Sequence, residues 1–409
     1  MRPTPGSFGR WLLFKQNSPR RTNGAGIVPL REGVYGRPMA REPKIAYVLL
    51  RNAHFGPCLA SSVELCVRDL ALYSRHSESI LVVCPPVDRP FEGIEIAAVP
   101  KILVGGNLGK ALGVARLLRR REVDFVIVEN HLPVAAFIAL ASGIPTILHS
   151  HAYERAPSNA FKRAVRDYEL KPLAGLVLVS EDCANQFRAN FPDARAPMRA
   201  VPNGLDMAKW SWKAPKDKTI LSVGRALDDK GHIEAMAALV RVLPSRPEWR
   251  ARFILSIPGR EPGILQALRE AARPFGDRIA RDLSVPYADV GKAWETAAIG
   301  MALTKTPEPF GRTALEALAS GAALVTSGRG GLAEVCGPDA LIVDPIDAEE
   351  VARSVAVLMD EPDRRSHLAR AGRARVEKLF DIRAVARRMD DFIEEALDLK
   401  RGPKTSVSG

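Results

Sequence analysis

The chain has 409 residues, 46% of them hydrophobic and 26% charged, the balance of an ordinary globular protein with length for two or three domains. That composition excludes a collagen-like, disordered or disulfide-scaffold chain. Lys and Arg outnumber Asp and Glu 59 to 47, a net charge of +12, which admits nucleic acid, an anionic membrane surface or a polyanionic substrate as partner.

Residues 1–43 hold eight Lys/Arg and two Glu, half of the net charge in about a tenth of the chain. They are rich in Pro, Gly and Ser and carry no sustained apolar period, so they cannot bury enough surface to offset their ordering entropy. A disordered basic tail is expected. Three accounts compete for it: a transit-like presequence, a membrane-tethering arm, and a natural start at Met39, which is favoured because Met39 stands just ahead of the first strand.

From residue 44 the chain alternates strand and helix. Residues 44–50 (KIAYVLL) form a continuous apolar run, the mark of a strand buried on both faces. A helix near 61–74, a strand at 79–84, a helix at 108–121 and a strand at 124–129 follow. Residues 132–148 are the longest apolar stretch, but Pro133, Gly143 and Pro145 break it into helix, turn and strand rather than a membrane span. Further strands are expected at 175–179 and 199–201. The alternation pauses at 202–218, where turn residues, prolines and charges mark a boundary. It resumes with strands at 219–223, 252–257, 298–303, 323–326 and 340–343, helices from about 230 and from 312, and two closing helical stretches near 348–359 and 382–397.

This pattern implies parallel sheets covered by helices. The fold class is therefore α/β: two Rossmann-like doubly wound domains facing an interdomain cleft, in which ligands of this class bind at the carboxyl ends of the strands. The expected boundaries are 44–205 for an acceptor domain, 206–380 for a donor domain, and 381–401 for a last helix packing back on the first domain. The five cysteines (Cys58, Cys66, Cys84, Cys183, Cys336) are scattered without a CxxC pair, which fits free thiols in a reducing cytosol and gives no zinc site.

The chemistry concentrates in residues 306–321, TPEPFGRTALEALASG. Pro307 and Pro309 hold Glu308 in extended backbone. Phe310 and Gly311 make a turn into a helix whose first amides, around Gly311, Arg312 and Thr313, form a diphosphate site. Glu316, just over one turn along, can accept from the vicinal hydroxyls of a ribose. Arg225, with Gly224 at a strand end, and Lys230, ahead of Gly231, overhang the same cleft, and a guanidinium with an ammonium matches a diphosphate.

EPFGRTALEALASG resembles the E-x7-E signature of the retaining GT-B glycosyltransferases, in particular family four, with Glu308 and Glu316 at the two Glu positions. SVGRALDDKG resembles that family's Gly-Arg…Lys-Gly segment, VPNGLDMAKW its PNG-x-D hinge entry (Asn203, Gly204, Asp206), and SGRGGLAEV its GG-x-x-E loop (Gly330, Gly331, Glu334). The resemblance implies GT-B architecture and a hexosyltransferase that uses a nucleoside-diphosphate sugar as co-substrate, with no metal. It also implies Arg225, Lys230, Glu308 and His149 as catalytic residues, and Gly224, Phe310, Gly311, Arg312, Thr313 and Glu316 as the donor site.

His149 and His151 are rival strand-end histidines of equal exposure, and His149 is chosen. The first-strand loop lacks the family's glycine pair, keeping only Gly56; His54 there, with Asn130, His131 and His151, makes up the acceptor side. A saccharide or lipid-linked saccharide is the expected acceptor, within lipopolysaccharide or other envelope polysaccharide assembly. The expected place is the cytoplasm, at the periphery of the membrane's inner face. The basic cluster Arg116, Arg119, Arg120 and Arg121 would face anionic lipid. The rival readings are a nucleotide-sugar epimerase or phosphorylase on the same fold, and a non-enzymatic nucleic-acid binder, which lacks any aromatic-basic signature.

Overall fold

The computed structural model describes residues 42–50, 53–57, 60–99, 106–257 and 263–401. Most of the basic tail, and the end of the chain from Gly402, lie outside the described residues. The first lobe runs β1 (Ile45–Val48), α1 (Ser62–Tyr73), β2 (Ile80–Cys84), β3 (Glu95–Ala98), α2 (Gly106–Arg120), β4 (Phe125–Glu129), α3 (Leu132–Ser142), β5 (Thr146–Ser150), α4 (Ala160–Leu170), β6 (Gly175–Leu178), α5 (Glu181–Asn190) and β7 (Met198–Ala200). The second lobe runs β8 (Asp217–Arg225), α6 (His232–Val242), β9 (Arg250–Ser256), α7 (Gly263–Ala272), β10 (Ile279–Leu283), α8 (Tyr287–Thr296), β11 (Ala297–Ala302), α9 (Arg312–Ala319), β12 (Ala323–Thr326), α10 (Gly331–Cys336), β13 (Leu341–Ile342), α11 (Ala348–Asp360) and α12 (Pro362–Leu379). A last helix, α13 (Ile382–Arg401), follows.

Both sheets are parallel throughout, ordered β3-β2-β1-β4-β5-β6-β7 and β10-β9-β8-β11-β12-β13. The order turns back at the β1/β4 step in one and at the β8/β11 step in the other. These are the topological switch points, where neighbouring strands send their following loops to opposite faces and open a crevice. β1, β2, β4 and β5 are buried along their whole length, as their near-continuous apolar sequences require. Helix α1 starts at a capping box: the Ser61 side chain accepts from Val63 N, and the Glu64 carboxylate returns to accept from Ser61 N at 2.8 Å.

The chain crosses between lobes twice, side by side. Leu205 N donates to Phe380 O and Ile382 N donates to Leu205 O, each at 2.9 Å. After the second crossing α13 lies along α1, and its Ile382, Val385, Met389 and Phe392 share one apolar cluster with Ile45, Tyr47, Leu70 and Val177. Another cluster runs through both lobes, bringing Leu178 and Phe187 together with Phe310, Leu332 and Phe380.

Several elements carry no strong apolar period and escape a reading by pattern. Strand β3 (EIAA) and edge strand β10 (IARDL) are largely exposed. Helix α12 buries only Ala369, Gly372 and Val376 beneath a charged surface, so three helices close the chain where two stretches are expected. Helix α4 differs: it has an apolar face, but only Leu170 is buried.

Candidate active site

The second switch point gathers the charged residues. Arg225 ends β8 and is exposed; its side chain has no hydrogen-bond or ion-pair partner among the described residues. A short 3-10 turn, Asp228–Lys230, comes before α6, so Lys230 stands on the turn rather than on the helix. The loop after β11 is tied to this turn, because Lys305 N donates to Asp229 O at 2.8 Å and the Thr304 hydroxyl to the same oxygen at 3.1 Å. Lys230 Nζ consequently meets the Glu308 carboxylate in an ion pair. Glu308 is extended and forms a parallel bridge with Gly330, and Gly331 N donates to Glu308 O at 2.8 Å.

Two glycines let these loops close up. A Cβ on Gly331 would stand 2.2 Å from Pro309 O. Gly311, at φ +101°, takes a conformation L side chains rarely adopt, and a Cβ there would stand 2.5 Å from Leu332 Cδ1. Gly311 is the N-cap of α9 with no side chain over the helix end, so the first-turn amides of Arg312 and Thr313 remain available to an anion.

His232 lies beneath the Arg225 strand end, 2% exposed. Its Nε2–H donates to Arg225 O at 3.1 Å, which leaves Nδ1 to accept from the Ser222 hydroxyl at 3.1 Å. Gly224 sits directly over the ring; a Cβ there would stand 3.2 Å from His232 Nε2. Burial lowers the imidazole from 6.5 to about 4. The folded chain holds this ring neutral over a range in which the unfolded chain protonates it. Its stabilisation is therefore complete above pH 6.5 and drains away as the pH falls toward 4, by up to roughly 3 kcal/mol. Urea titrations from pH 7 to 4 should show a steeper acid loss of stability in the wild type than in His232→Gln, which cannot titrate; equal slopes would remove this account.

Two of the expected donor contacts, the Phe310 ring and the Arg312 side chain, need correcting, and Glu316 is more enclosed than its place on a helix suggests. Phe310 is a core side chain, 4% exposed, set edge-on against Phe380 with centroids 5.8 Å apart, so its ring is closed off from a ligand. The Arg312 side chain turns inward: Nε donates to Glu316 Oε1 at 3.1 Å, NH2 to the Tyr287 hydroxyl at 3.0 Å and NH1 to Cys66 Sγ at 3.1 Å. Only its backbone amide can serve an anion. Glu316 is 4% exposed, not an open helix-face carboxylate. Burial raises its pKa against the opposing Arg312 charge. Tyr287 donates to Oε1 at 2.8 Å; both bonds thus fall on that oxygen, and Oε2 accepts none among the described residues.

On the first lobe, Glu129 ends β4 between two histidines. Its two oxygens lie 3.2 Å from His149 Nδ1 and 2.9 Å from His151 Nε2. Burial works against the Glu129 charge, but the His149 ring and then the ring hydrogen bonds outweigh it and bring the carboxyl down to about 2. An ionised carboxylate only accepts, so both rings donate to it. The three donor atoms lie within 4.8 Å of one another, yet each Glu129 oxygen is already satisfied by an imidazole N–H.

The two histidines are not equals. His149 lies inside β5, 1% exposed, with Nε2 buried and unpartnered among the described residues, whereas His151 follows the strand end. Both side chains are buried, that of His151 7% exposed and that of His149 1%. Asn130 and His131 have structural duties: Asn130 Oδ1 accepts from His151 N at 2.6 Å at a positive φ, and His131 Nδ1 accepts from Val134 N to cap α3. His54 is half-buried in the loop after β1, its amide donating to Glu64 Oε1 at 3.2 Å.

Contacts across the cleft were not foreseen from the motifs. Glu334 of the GG-x-x-E loop accepts from Glu181 N at 2.9 Å and Asp182 N at 2.6 Å, capping α5 of the first lobe. The Ser180 hydroxyl donates to Pro309 O at 2.7 Å, and the Tyr153 hydroxyl to Glu308 O at 3.2 Å. A cavity of about 520 Å³ opens beside them, lined by Tyr153, Asp182, Thr306 and Pro307. Ser-Glu-Asp at the start of α5 is a readable N-terminus; its partner from the other lobe is not.

Residues 206–375 match the glycosyl transferases group 1 family and residues 63–209 match glycosyltransferase family 4. The glycogen synthase of Mycobacterium tuberculosis is 30% identical over 301 residues, 68% of this chain and 69% of that protein. The GDP-mannose-dependent monoacylated alpha-(1-6)-phosphatidylinositol monomannoside mannosyltransferase of Corynebacterium glutamicum is 23% identical, over 73% of this chain and 84% of its own. Among solved structures, a glycosyltransferase from Rickettsia africae superposes with a TM-score of 0.73 at 17% identity, covering 88% of this chain and 100% of that one. Anabaena Alr3699/HepE in complex with UDP and glucose superposes with a TM-score of 0.69 at 18% identity, covering 86% and 99%. With two parallel sheets, each with one switch point, and these matches across both lobes, the chain belongs to the group 1 glycosyltransferases and is an enzyme of GT-B architecture.

Proposed function

We propose that this glycosyltransferase moves a hexose, with retention, from a nucleoside-diphosphate sugar to a saccharide or lipid-linked saccharide in envelope polysaccharide assembly, lipopolysaccharide being the leading pathway. The observation that carries the reading is that Arg225, Lys230 and the N-terminus of α9 all follow the strands of one switch point, a set of cations and amides that suits a diphosphate.

In this reading the bond from C1 of the sugar to the diphosphate oxygen breaks as charge spreads over the ring. Arg225, Lys230 and the amides of Gly311–Thr313 take up the negative charge growing on the leaving group, the amides and Lys230 from positions set by the α9 N-terminus and the 3-10 turn. The acceptor hydroxyl attacks C1 on the same face, and its proton passes to the departing diphosphate. Glu316 Oε2 accepts from the ribose diol. Glu308, held extended beside Lys230, orients the sugar hydroxyls, and His149, held through Nδ1 by Glu129 with Nε2 unpartnered among the described residues, orients the donor sugar from the other lobe. The cations that meet the diphosphate are the protein's own, so the reading assigns no metal.

A lipid-bearing acceptor is supported by the Corynebacterium relative, which is named for one. The site of action proposed is the cytoplasmic face of the membrane. No described helix is long and apolar enough to cross a bilayer. Part of the basic cluster on α2 is already committed, Arg119 Nε to Ser142 O and Arg121 to Glu95, while Arg116 and Arg120 stay exposed without a partner among the described residues.

A thermal-shift panel of nucleotide sugars tests the donor. A true donor at 100 times its Kd should stabilise the chain by about 2.7 kcal/mol, a shift of a few degrees. Free nucleoside diphosphate should appear only when an acceptor is present, and its release without one, or epimerised donor, would favour the rival enzymes. No shift with any nucleotide sugar would sink the reading.

A further inference from the structure

Helix α4 carries Phe161, Val165 and Tyr168 at helical spacing, so they share one face. That face is not buried: Phe161 is 77% exposed and Tyr168 62%. The neighbouring α3, against which α4 packs, adds Phe137 and Leu140, both exposed. Of the large apolar side chains left open among the described residues, only Leu283 and Ile342 lie away from α2, α3 and α4. An apolar patch of this kind marks a place where something apolar binds.

Between α4, the start of α3 and the loop leaving β5 is an open cavity of about 540 Å³. Pro133, Phe161 and Val165 supply its apolar wall, and three cations, Arg155, Lys162 and Arg166, outnumber the one acid, Glu169, that also lines it. Arg166 is partly spent on Glu169, 2.7 Å away. Arg155 is exposed and has no partner among the described residues, and Lys162 Nζ donates only to the Ser158 hydroxyl at 3.0 Å. The cavity adjoins the cleft through one loop: Tyr153 reaches across to the Glu308 carbonyl, and Arg155, two residues on, lines the cavity.

An apolar wall beside unspent cations is complementary to a hydrocarbon chain that ends in a phosphate. We infer that this cavity holds the acceptor, a single amphiphile whose hydrocarbon lies along Phe161 and Val165, whose phosphate meets Arg155 and Lys162, and whose sugar end reaches past Tyr153 toward Glu308. The inference rests on the transferase reading above and names the acceptor class for it.

The test is calorimetric titration of the full chain with octyl phosphate below its micellar concentration, beside octyl glucoside and inorganic phosphate. Saturable one-to-one binding of octyl phosphate is expected, at least tenfold tighter than either comparison probe. Phe161→Ser and the double variant Arg155→Ala/Lys162→Ala should each weaken it at least tenfold and leave the nucleotide-sugar thermal shift unchanged, which shows that they fold. Equal affinity for the neutral or tail-less probe, or unaltered binding in both variants, would overturn the inference. Sedimentation with phosphatidylglycerol vesicles in the absence of monomer binding would overturn it too, and make the face a membrane platform. An intact nucleotide-sugar shift without octyl phosphate binding removes the cavity and leaves the transferase reading standing.

Discussion

Replacing Lys230 with alanine should lower transfer by a factor of about 10²–10³ in kcat, with the melting temperature nearly unchanged. The loss follows from position. The ammonium is placed by a 3-10 turn pinned to the β11 loop through Asp229 O, and it stands at the switch point with Arg225 close by in sequence. A charge held there before the reaction begins meets the developing diphosphate without reorganisation, which is the condition under which one donor is worth that factor. The fold should tolerate the change, because the Lys230 side chain is 15% exposed and that of its partner Glu308 26%, leaving the carboxylate to be hydrated. Initial rates of nucleoside-diphosphate release with acceptor, beside a thermal melt, check both halves. Turnover near the wild-type rate would end the assignment.

Replacing Arg312 has the opposite character. Arg312→Met should cost about 3–5 kcal/mol of stability, because it leaves the buried Glu316 carboxylate without its cation. The guanidinium is 9% exposed and joins Glu316 of its own helix to Asp69 of α1 in the other lobe, 3.6 Å away. The Glu316 side chain, 5% exposed, would keep only the Tyr287 hydroxyl on Oε1, whereas Asp69 stays paired with Arg68, whose Nε donates to it at 2.8 Å. Neutralising one of them tests the cause: Arg312→Met/Glu316→Gln should recover a large part of the loss in urea unfolding. A single-variant loss under about 1 kcal/mol would show that the ion pair is not the seam described here.

These two residues show what a sequence can and cannot disclose. The strand-helix alternation was legible because strands covered on both faces must be apolar along their length, as β1, β2, β4 and β5 are. The cleft-facing loops were legible because glycines and prolines constrain backbone locally, as at Glu308 and Gly311. Arg312 was read as a donor residue from its place in the helix's first turn, but its side chain was claimed by Glu316, Tyr287 and Cys66, two of which come from distant segments. Phe310 failed for a like reason, its partner Phe380 lying seventy residues on. The His149/His151 choice turned on which ring lay within β5, and a shift of two residues along a strand leaves a side chain on the same face, where periodicity cannot separate them. Elements missed outright, such as α12 and β10, bury too little for any period to show.

The return of α13 to the first lobe has a bearing on how the chain is made. Synthesis runs from the amino end at about 5–20 residues per second, and domains ordinarily fold as they emerge. Here the core that holds Ile45 and Tyr47 also needs Val385, Met389 and Phe392, and Gly175 lacks a Cβ where the Phe392 ring approaches. The first half of the molecule therefore keeps an apolar seam uncovered on the ribosome until α13 is released, more than 150 residues after its own last strand, β7.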